Sequence, residues 1–166
     1  MNSKTKYRKS IAVKELEALA MVAARKKHPT IPEHVLAPRL YRDDKANNLT
    51  KCVIDWVRLN GYQAERISVT GRYHDNTKIV TNVIGQQQRI GSRQWIPSSM
   101  QKGSADVAAT IKGRSVKIEI KIGADKQSPA QKIYQRQVEG AGGIYLITRD
   151  FTQFLNWYNS FIELKT

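Results

Sequence analysis

The stretch GSADVAATIKGRSVKIEIKIGADKQSPAQKIYQ, residues 103–135, decides how the rest of the chain is read. Two alternating apolar runs flank Lys112-Gly113-Arg114, which is the pattern of a tight hairpin. With Gly113-Arg114 as the two turn residues and Lys112 facing Ser115, Asp106 falls opposite Lys121 and Ala108 opposite Glu119. Opposed residues, and residues two apart on one strand, point to the same face. Asp106, Glu119 and Lys121 therefore share a face. The other face carries Val107, Ala109, Ile111, Val116, Ile118, Ile120 and Ile122, which would anchor the hairpin in a core.

On that register Asp106 and Glu119 are diagonal neighbours, with Cβ atoms roughly 5 to 8 Å apart. A Mg²⁺ held at ~2.0–2.1 Å from each oxygen bridges such a gap. The Lys121 ammonium beside it would orient or activate a water, or balance charge on a phosphate. The same residues also have an ordinary reading, because Glu-x-Lys on a strand and an Asp opposite a Lys make a common cross-strand pair. Three neighbouring features favour chemistry. Gly103-Ser104 gives a flexible approach to Asp106, Ser128-Pro129 fixes the start of the next helix, and Gln131 and Gln135 turn a polar edge toward the hairpin.

The 166 residues suffice for one domain with a real core. The 28 Lys and Arg outnumber the 14 Asp and Glu, for a net charge of +14 spread along the chain. That balance predicts a polyanionic partner, nucleic acid before a membrane surface. Cys52, the single cysteine, sits in the apolar context CVIDWV, so neither a disulfide framework nor a Cys-rich metal site is expected. No run reaches the ~18 to 20 apolar residues of a membrane span. MNSKTKYRKS followed by an interrupted apolar run is a poor signal peptide, which makes an intracellular location the expectation.

Residues 1–9 are polar, basic and expected to be mobile. A helix capped by Ser10 is predicted to about Lys27, and a second from about Leu49 to Asn60, stopped by Gly61. YQAERISVTGRY reads as a strand turning near His74–Thr77, with KIVTNVIG as its return. QQQRIGSRQWIPSSMQKG reads as a loop or protruding arm. The hairpin follows, with strands at about 105–111 and 116–122. A helix from Pro129 to Glu139, the strand GGIYLIT, and a final helix with an aromatic face (Phe154, Leu155, Tyr158, Phe161, Ile162) complete the chain. The order predicts an α/β layer arrangement around a mixed sheet.

Gly103-Ser104-Ala105-Asp106, Ile118-Glu119-Ile120-Lys121, Gln127-Ser128-Pro129-Ala130-Gln131 and Gly142-Gly143-Ile144-Tyr145, taken in order, resemble the PD-(D/E)XK nuclease superfamily. More narrowly they resemble the VRR-NUC group of small nucleases found in phages and in repair enzymes. The resemblance implies a restriction-endonuclease-like core over residues 47–149: helix, mixed sheet, helix and strand. Residues 1–46 would form a basic tail and helical extension, and residues 150–166 a helix packed on the core. Mg²⁺, with Mn²⁺ able to substitute, would be bound by Asp106, Glu119 and the backbone carbonyl of Ile120. Lys121 would serve the attacking water, and Gln131 would support the site.

Two positions depart from the family pattern. The proline before the aspartate is Ala105, and the glutamate near the start of the first core helix is replaced by Asn47-Asn48. Asn48, or Glu65 on the next strand, would stand in for it. Arg89, Arg93 and Trp95 on the arm, with Ser104 and Lys126 beside the hairpin, are candidate nucleic-acid contacts, although Trp95 would serve equally as a buried anchor. His28, His34 and His74 lack metal-like spacing. The expected function is a metal-dependent deoxyribonuclease, a structure-selective endonuclease of junctions or flaps in repair, recombination or phage DNA processing. A homodimer is a candidate state. The alternative is a non-catalytic nucleic-acid-binding module that kept the fold.

Overall fold

A computed structural model describes residues 7–68 and 71–164. Of the tail expected to be mobile over residues 1–9, residues 1–6 lie outside the described residues. Tyr7 donates to Asp43 at 2.8 Å and Lys9 to Glu17 at 2.6 Å, which ties residues 7–9 to the fold. Ser10 accepts the N–H of Val13 and starts α1 (Ile11–Lys27), whose Ala12, Val13, Leu16 and Ala20 are buried. The basic Arg25, Lys26 and Lys27 close α1 where cations suit the helix dipole. A single 3-10 turn at Glu33–Val35 follows. α2 (Ala46–Leu59) begins three residues before the expected Leu49. Asp44 accepts the Asn48 side-chain amide at 3.0 Å and Lys45 accepts the Leu49 N–H, which extends the helix back over Asn47 and Asn48.

In the main sheet β1 (Gln63–Arg66), β6 (Val107–Ile111), β7 (Arg114–Ile120) and β8 (Ile144–Thr148) lie side by side in that order. β1 runs antiparallel to β6, and β6 runs antiparallel to β7. β7 runs parallel to β8, joined by α3 (Pro129–Gly140). The described residues are thus mixed α/β, with a mixed sheet and four α-helices. α4 (Phe151–Glu163) ends the described chain, capped by Asp150, with Asp43 accepting the Phe151 N–H at 3.2 Å.

The hairpin turn differs from expectation by a register of two residues. Ile111 faces Arg114, and the turn is Lys112-Gly113, both at positive φ (49° and 72°), the conformation that a two-residue hairpin turn demands. Lys112 is held there because its ammonium donates to the carbonyls of Ile162 and Leu164 at 3.0 and 2.8 Å. A shift of two keeps side-chain parity, so the apolar face survives intact: Val107, Ile111, Val116 and Ile118 are fully buried. What changes is the pairing. Extending Val107↔Ile118 by one step sets Asp106 opposite Glu119, not opposite Lys121.

That apolar face packs against α1, α2 and α4 in one continuous core. Trp56 meets Phe151 and Tyr158 edge-on at 5.9 and 6.0 Å. The segments before residue 47 and after residue 149 therefore share a single hydrophobic core with the sheet. α3 lies against β8 and its first turn bonds to the β7 side chains of the opposite face. Among the described residues no helix is long and apolar enough to cross a membrane.

The segment between β1 and β6 also departs from expectation. β2 (Arg72–Asp75) and β3 (Lys78–Thr81) form one limb of a ribbon, and β4 (Gln87–Ile90) and β5 (Arg93–Ile96) the other. There is no reversal at residues 74–77. The Asp75 carboxylate accepts both the N–H and the hydroxyl of Thr77, so the chain continues onward. The reversal occurs at Asn82–Gln86. Trp95, expected in a loop or protruding arm, lies on β5 of the exposed ribbon in edge contact with Tyr73 at 4.8 Å and is half exposed.

Candidate active site

Asp106 precedes β6, Glu119 lies near the end of β7 and Lys121 directly follows it, all on the face away from the main core. One Asp106 oxygen accepts the Ile120 N–H at 2.9 Å, which fixes the carboxylate across the hairpin. Glu119 and Lys121 are buried, at 2 % and 5 % exposure. The Lys121 ammonium lies 3.1 Å from Glu119 Oε1 and 3.3 Å from Asp125 Oδ2. It also donates to Gln131 Oε1 at 3.1 Å.

Gln131 reaches the pair because of how α3 begins. Ser128 caps the helix, Pro129 occupies its first turn, and Gln131 closes a capping box with Ser128. The same side chain donates its amide N–H to Glu119 Oε1 and accepts from Lys121. The loop carrying Asp106 is set against this helix start by Gly103. A Cβ at Gly103 would lie 2.5 Å from the Ala130 carbonyl carbon, so only glycine allows this approach. Ser104 is buried and its hydroxyl donates to the Gln101 carbonyl at 2.6 Å, so it fixes the loop and does not face solvent.

Burial first, and the charge of Asp106 second, raise the Glu119 carboxyl above its ordinary value; Lys121 and Tyr145 oppose this only in part. Burial acting alone would lower Lys121, but Glu119 and Asp125 outweigh it and hold the ammonium above the usual lysine range. The asymmetry is physical: the ammonium has two carboxylates beside it, whereas Glu119 has one cation and a second carboxylate. The site thus keeps a charged donor at Lys121 and a carboxylate pair whose mutual repulsion one ammonium does not cancel.

That donor set suits a hard divalent cation. Asp106, Glu119 and the Ile120 carbonyl supply oxygen, the ligand type of Mg²⁺ and Mn²⁺. Among the described residues no group of three or more Asp, Glu, His or Cys side chains is disposed to hold a metal. Water and phosphate oxygens would have to complete the shell, which is the usual Mg²⁺ arrangement.

Asn48 lies in the first turn of α2 and donates to Asp44, whose carboxyl the Arg42 side chain and Asn48 hold near a pKa of about 2. Its neighbour Asn47 accepts from Arg66 at 2.7 Å, which ties the start of α2 to the end of β1. There the Ile67 N–H bonds the Asp106 carbonyl at 2.8 Å. Glu65 faces Ala108 and so shares the face of Asp106, as an exposed diagonal neighbour. Neither joins a three-ligand cluster. Lys126 is exposed on the loop between β7 and α3. Arg89, Arg93 and Trp95 lie away from the pair, together on one face of the ribbon.

Two contacts were not anticipated. Asp125 adds the second carboxylate at Lys121, and Arg149 clamps its loop by donating to the Gly123 and Asp125 carbonyls at 2.8 and 3.1 Å. Tyr145 directs its hydroxyl at Glu119 Oε2 from 3.4 Å. The position four residues after Lys121, just past Gly123, was the only available sign of the first. The parallel pairing of Lys117 with Tyr145, which sets the second, has no local signature. No protein-family model and no curated protein matches this chain.

Proposed function

We propose that the chain is a metal-dependent deoxyribonuclease with a core of the PD-(D/E)XK type, similar to VRR-NUC nucleases. The observation that carries this reading is the half-buried Asp106 opposite the buried Glu119, with the buried Lys121 ammonium 3.1 Å from Glu119, at one end of the hairpin. A pair serving only the fold would gain little there, because a buried ion pair is often no more stabilising than apolar side chains of similar volume.

Asp106, Glu119 and the Ile120 carbonyl would hold Mg²⁺ or Mn²⁺, which when bound acidifies a water and offsets phosphate charge. Lys121, held charged, acts as a donor and not as a base at neutral pH. It orients a water or balances charge developing on the phosphate. Gln131 keeps Glu119 and Lys121 at a fixed separation, and Tyr145 orients the second Glu119 oxygen. The +14 charge draws the phosphate backbone to the chain. Structure-selective cutting of junctions or flaps, in repair, recombination or phage DNA processing, is the activity that fits a basic chain of this size.

That no third acid joins Asp106 and Glu119 in a metal-holding group among the described residues favours one other reading, a nucleic-acid-binding module without catalysis. A gel assay on duplex, single-stranded, flap and four-way-junction DNA, with Mg²⁺, Mn²⁺ or EDTA, decides between them. Metal-dependent products absent in Asp106→Ala support the nuclease. Binding without cutting on every substrate and in every metal supports the module. Matched RNA substrates test whether cutting is confined to DNA.

A further inference from the structure

The two limbs of the ribbon share one uninterrupted register. Arg72 faces Ile96, Asp75 faces Arg93, Lys78 faces Ile90 and Thr81 faces Gln87. Between the strand pairs, the Asn76 N–H bonds the Ser92 carbonyl at 3.2 Å. At ~3.3 Å per residue each limb runs roughly 30 Å. Every strand residue on it is exposed, so the ribbon covers no part of the core. It leaves the sheet just after Ile67, which bonds Asp106, and returns through Gln101, which bonds Ser104. Both roots therefore join the candidate active site.

A two-stranded ribbon alone in water is marginal. This one is stiffened by specific contacts: Tyr73 on Trp95, Asp75 with Arg93 at 2.9 Å, and Arg89 on the Thr77 hydroxyl at 3.2 Å. The tip is locked as well. The Asn82 carboxamide oxygen accepts the N–H groups of Ile84 and Gln86 at 3.1 and 2.8 Å, and Gly85 takes a φ of 79°.

Turn positions ordinarily hold Gly, Asn, Asp, Ser or Pro. Here the outermost two are Val83 and Ile84, with Val83 fully exposed and Ile84 76 % exposed. Directly behind them stand Gln86, Gln87 and Gln88, then Lys78 and Arg89. A rigid apolar point followed by amides and cations has the chemistry of side chains that enter the minor groove. Apolar wedges there part base steps, while Gln, Asn, Lys and Arg meet the groove edges.

We propose that the ribbon is a DNA arm whose Val83–Ile84 tip wedges a base step from the minor groove, roughly 30 Å along the arm from its roots at the Asp106–Glu119 site. This rests on the reading of the chain as acting on DNA, and it names what the site selects. A wedge enters most easily where stacking is already weakened, so branched or mismatched DNA is preferred over regular duplex. Charge decides against a second copy as the occupant. The ribbon carries Arg72, Lys78, Arg89 and Arg93 against the single carboxylate of Asp75, within a chain of net +14. Two such arms repel, whereas duplex phosphates neutralise them.

The test uses the full chain in EDTA on a duplex carrying 2-aminopurine at a central step, with the variant Val83→Ser/Ile84→Ser beside wild type. Wild type is expected to raise 2-aminopurine fluorescence on binding. The variant should lose that rise and bind at least about tenfold more weakly, the loss expected when even one such apolar side chain is no longer buried. A second variant, Ile84→Phe, should retain both signals. Unchanged affinity and fluorescence in the Ser variant, with Mg²⁺-dependent cleavage intact, overturn the wedge and leave the nuclease standing. Loss of the fluorescence rise in the Ser variant, with no cleavage by wild type, supports the wedge and overturns the nuclease. A wild-type dimer that the Ser variant converts to monomer overturns the proposal in favour of an arm between copies.

Discussion

The Asp106 carboxylate accepts the Ile120 N–H at 2.9 Å, so a proposed metal ligand is also a cross-strand tie of the hairpin. The two roles separate by substitution. Asp106→Asn retains an acceptor oxygen for Ile120 but carries no charge; it should unfold at nearly the wild-type denaturant midpoint and lose metal-dependent cleavage. Asp106→Ala leaves the Ile120 N–H without its partner and should cost about 1–2 kcal/mol more. Urea titration and the gel assay together read both effects. Equal cleavage by wild type and Asp106→Asn would remove Asp106 from the chemistry.

The raised Glu119 carboxyl makes a signed prediction about pH. A carboxyl whose folded pKa lies above its ordinary 4.5 binds its proton more tightly in the native state. Its contribution is complete below about 4.5 and is lost as pH rises through the raised value. Glu119→Gln abolishes that titration. Lys121 stays charged throughout this window, because its own raised value lies above 10.5, and so it adds no slope. The stability of Glu119→Gln relative to wild type should therefore increase from pH 4 to pH 8 in urea titrations. A flat or falling difference would show that Lys121 fully compensates the carboxylate.

Cys52 offers a direct probe of the core. Its thiol is fully buried between α2 and the segment before it, within 3.1 Å of the Arg42 carbonyl. Burial, and next the charge of Asp43, push it up to about 12 from 9.0. With a single cysteine in the chain, alkylation at pH 8 should proceed at the opening rate of the core and reach completion only in denaturant. The thiol's contribution to stability is whole below pH 9 and declines toward pH 12, so midpoints should fall across that range. Rapid stoichiometric labelling of the native chain would contradict the packing of α2.

The shared face of Asp106, Glu119 and Lys121 was legible because parity is robust. Side-chain faces alternate with period two, so placing the turn at Gly113-Arg114 in place of Lys112-Gly113 moved partners by two without exchanging faces. Asp106, Glu119, Lys121 and the capping residue Gln131 were therefore recoverable, while the identity of the residue opposite Asp106 was not. The turn choice hinged on Lys112 accepting a positive φ, which two carbonyls from the far end of α4 make tolerable. The ribbon was misread for a related reason. His74–Thr77 has turn-forming residues, but Asp75 spends its carboxylate on Thr77 and Arg93, and the true reversal carries Val83 and Ile84 where turn chemistry predicts polar residues.

Two glycines, both at positive φ, separate backbone strain from site geometry. Gly113 has a φ of 72° with open space where a Cβ would be, so Gly113→Ala should cost only the left-handed penalty, ~1–2 kcal/mol. Gly103 has a φ of 86°, and a Cβ there would also meet the Ala130 carbonyl carbon at 2.5 Å and the Gln131 nitrogen at 2.8 Å. Backbone cannot yield as a side-chain tip can. The loop carrying Ser104 and Asp106 must then move away from the first turn of α3, which carries Gln131. Gly113→Ala should lower Tm by a few degrees and leave cleavage unchanged. Gly103→Ala should lower it by roughly 5–10 °C and also depress cleavage in the surviving folded fraction, at ~2–4 °C per kcal/mol for a chain of this size. Thermal melts read beside cleavage rates well below both midpoints distinguish the two. If Gly103→Ala melts early but cuts at the wild-type rate when folded, the spacing between Asp106 and the α3 side chains does not govern the chemistry.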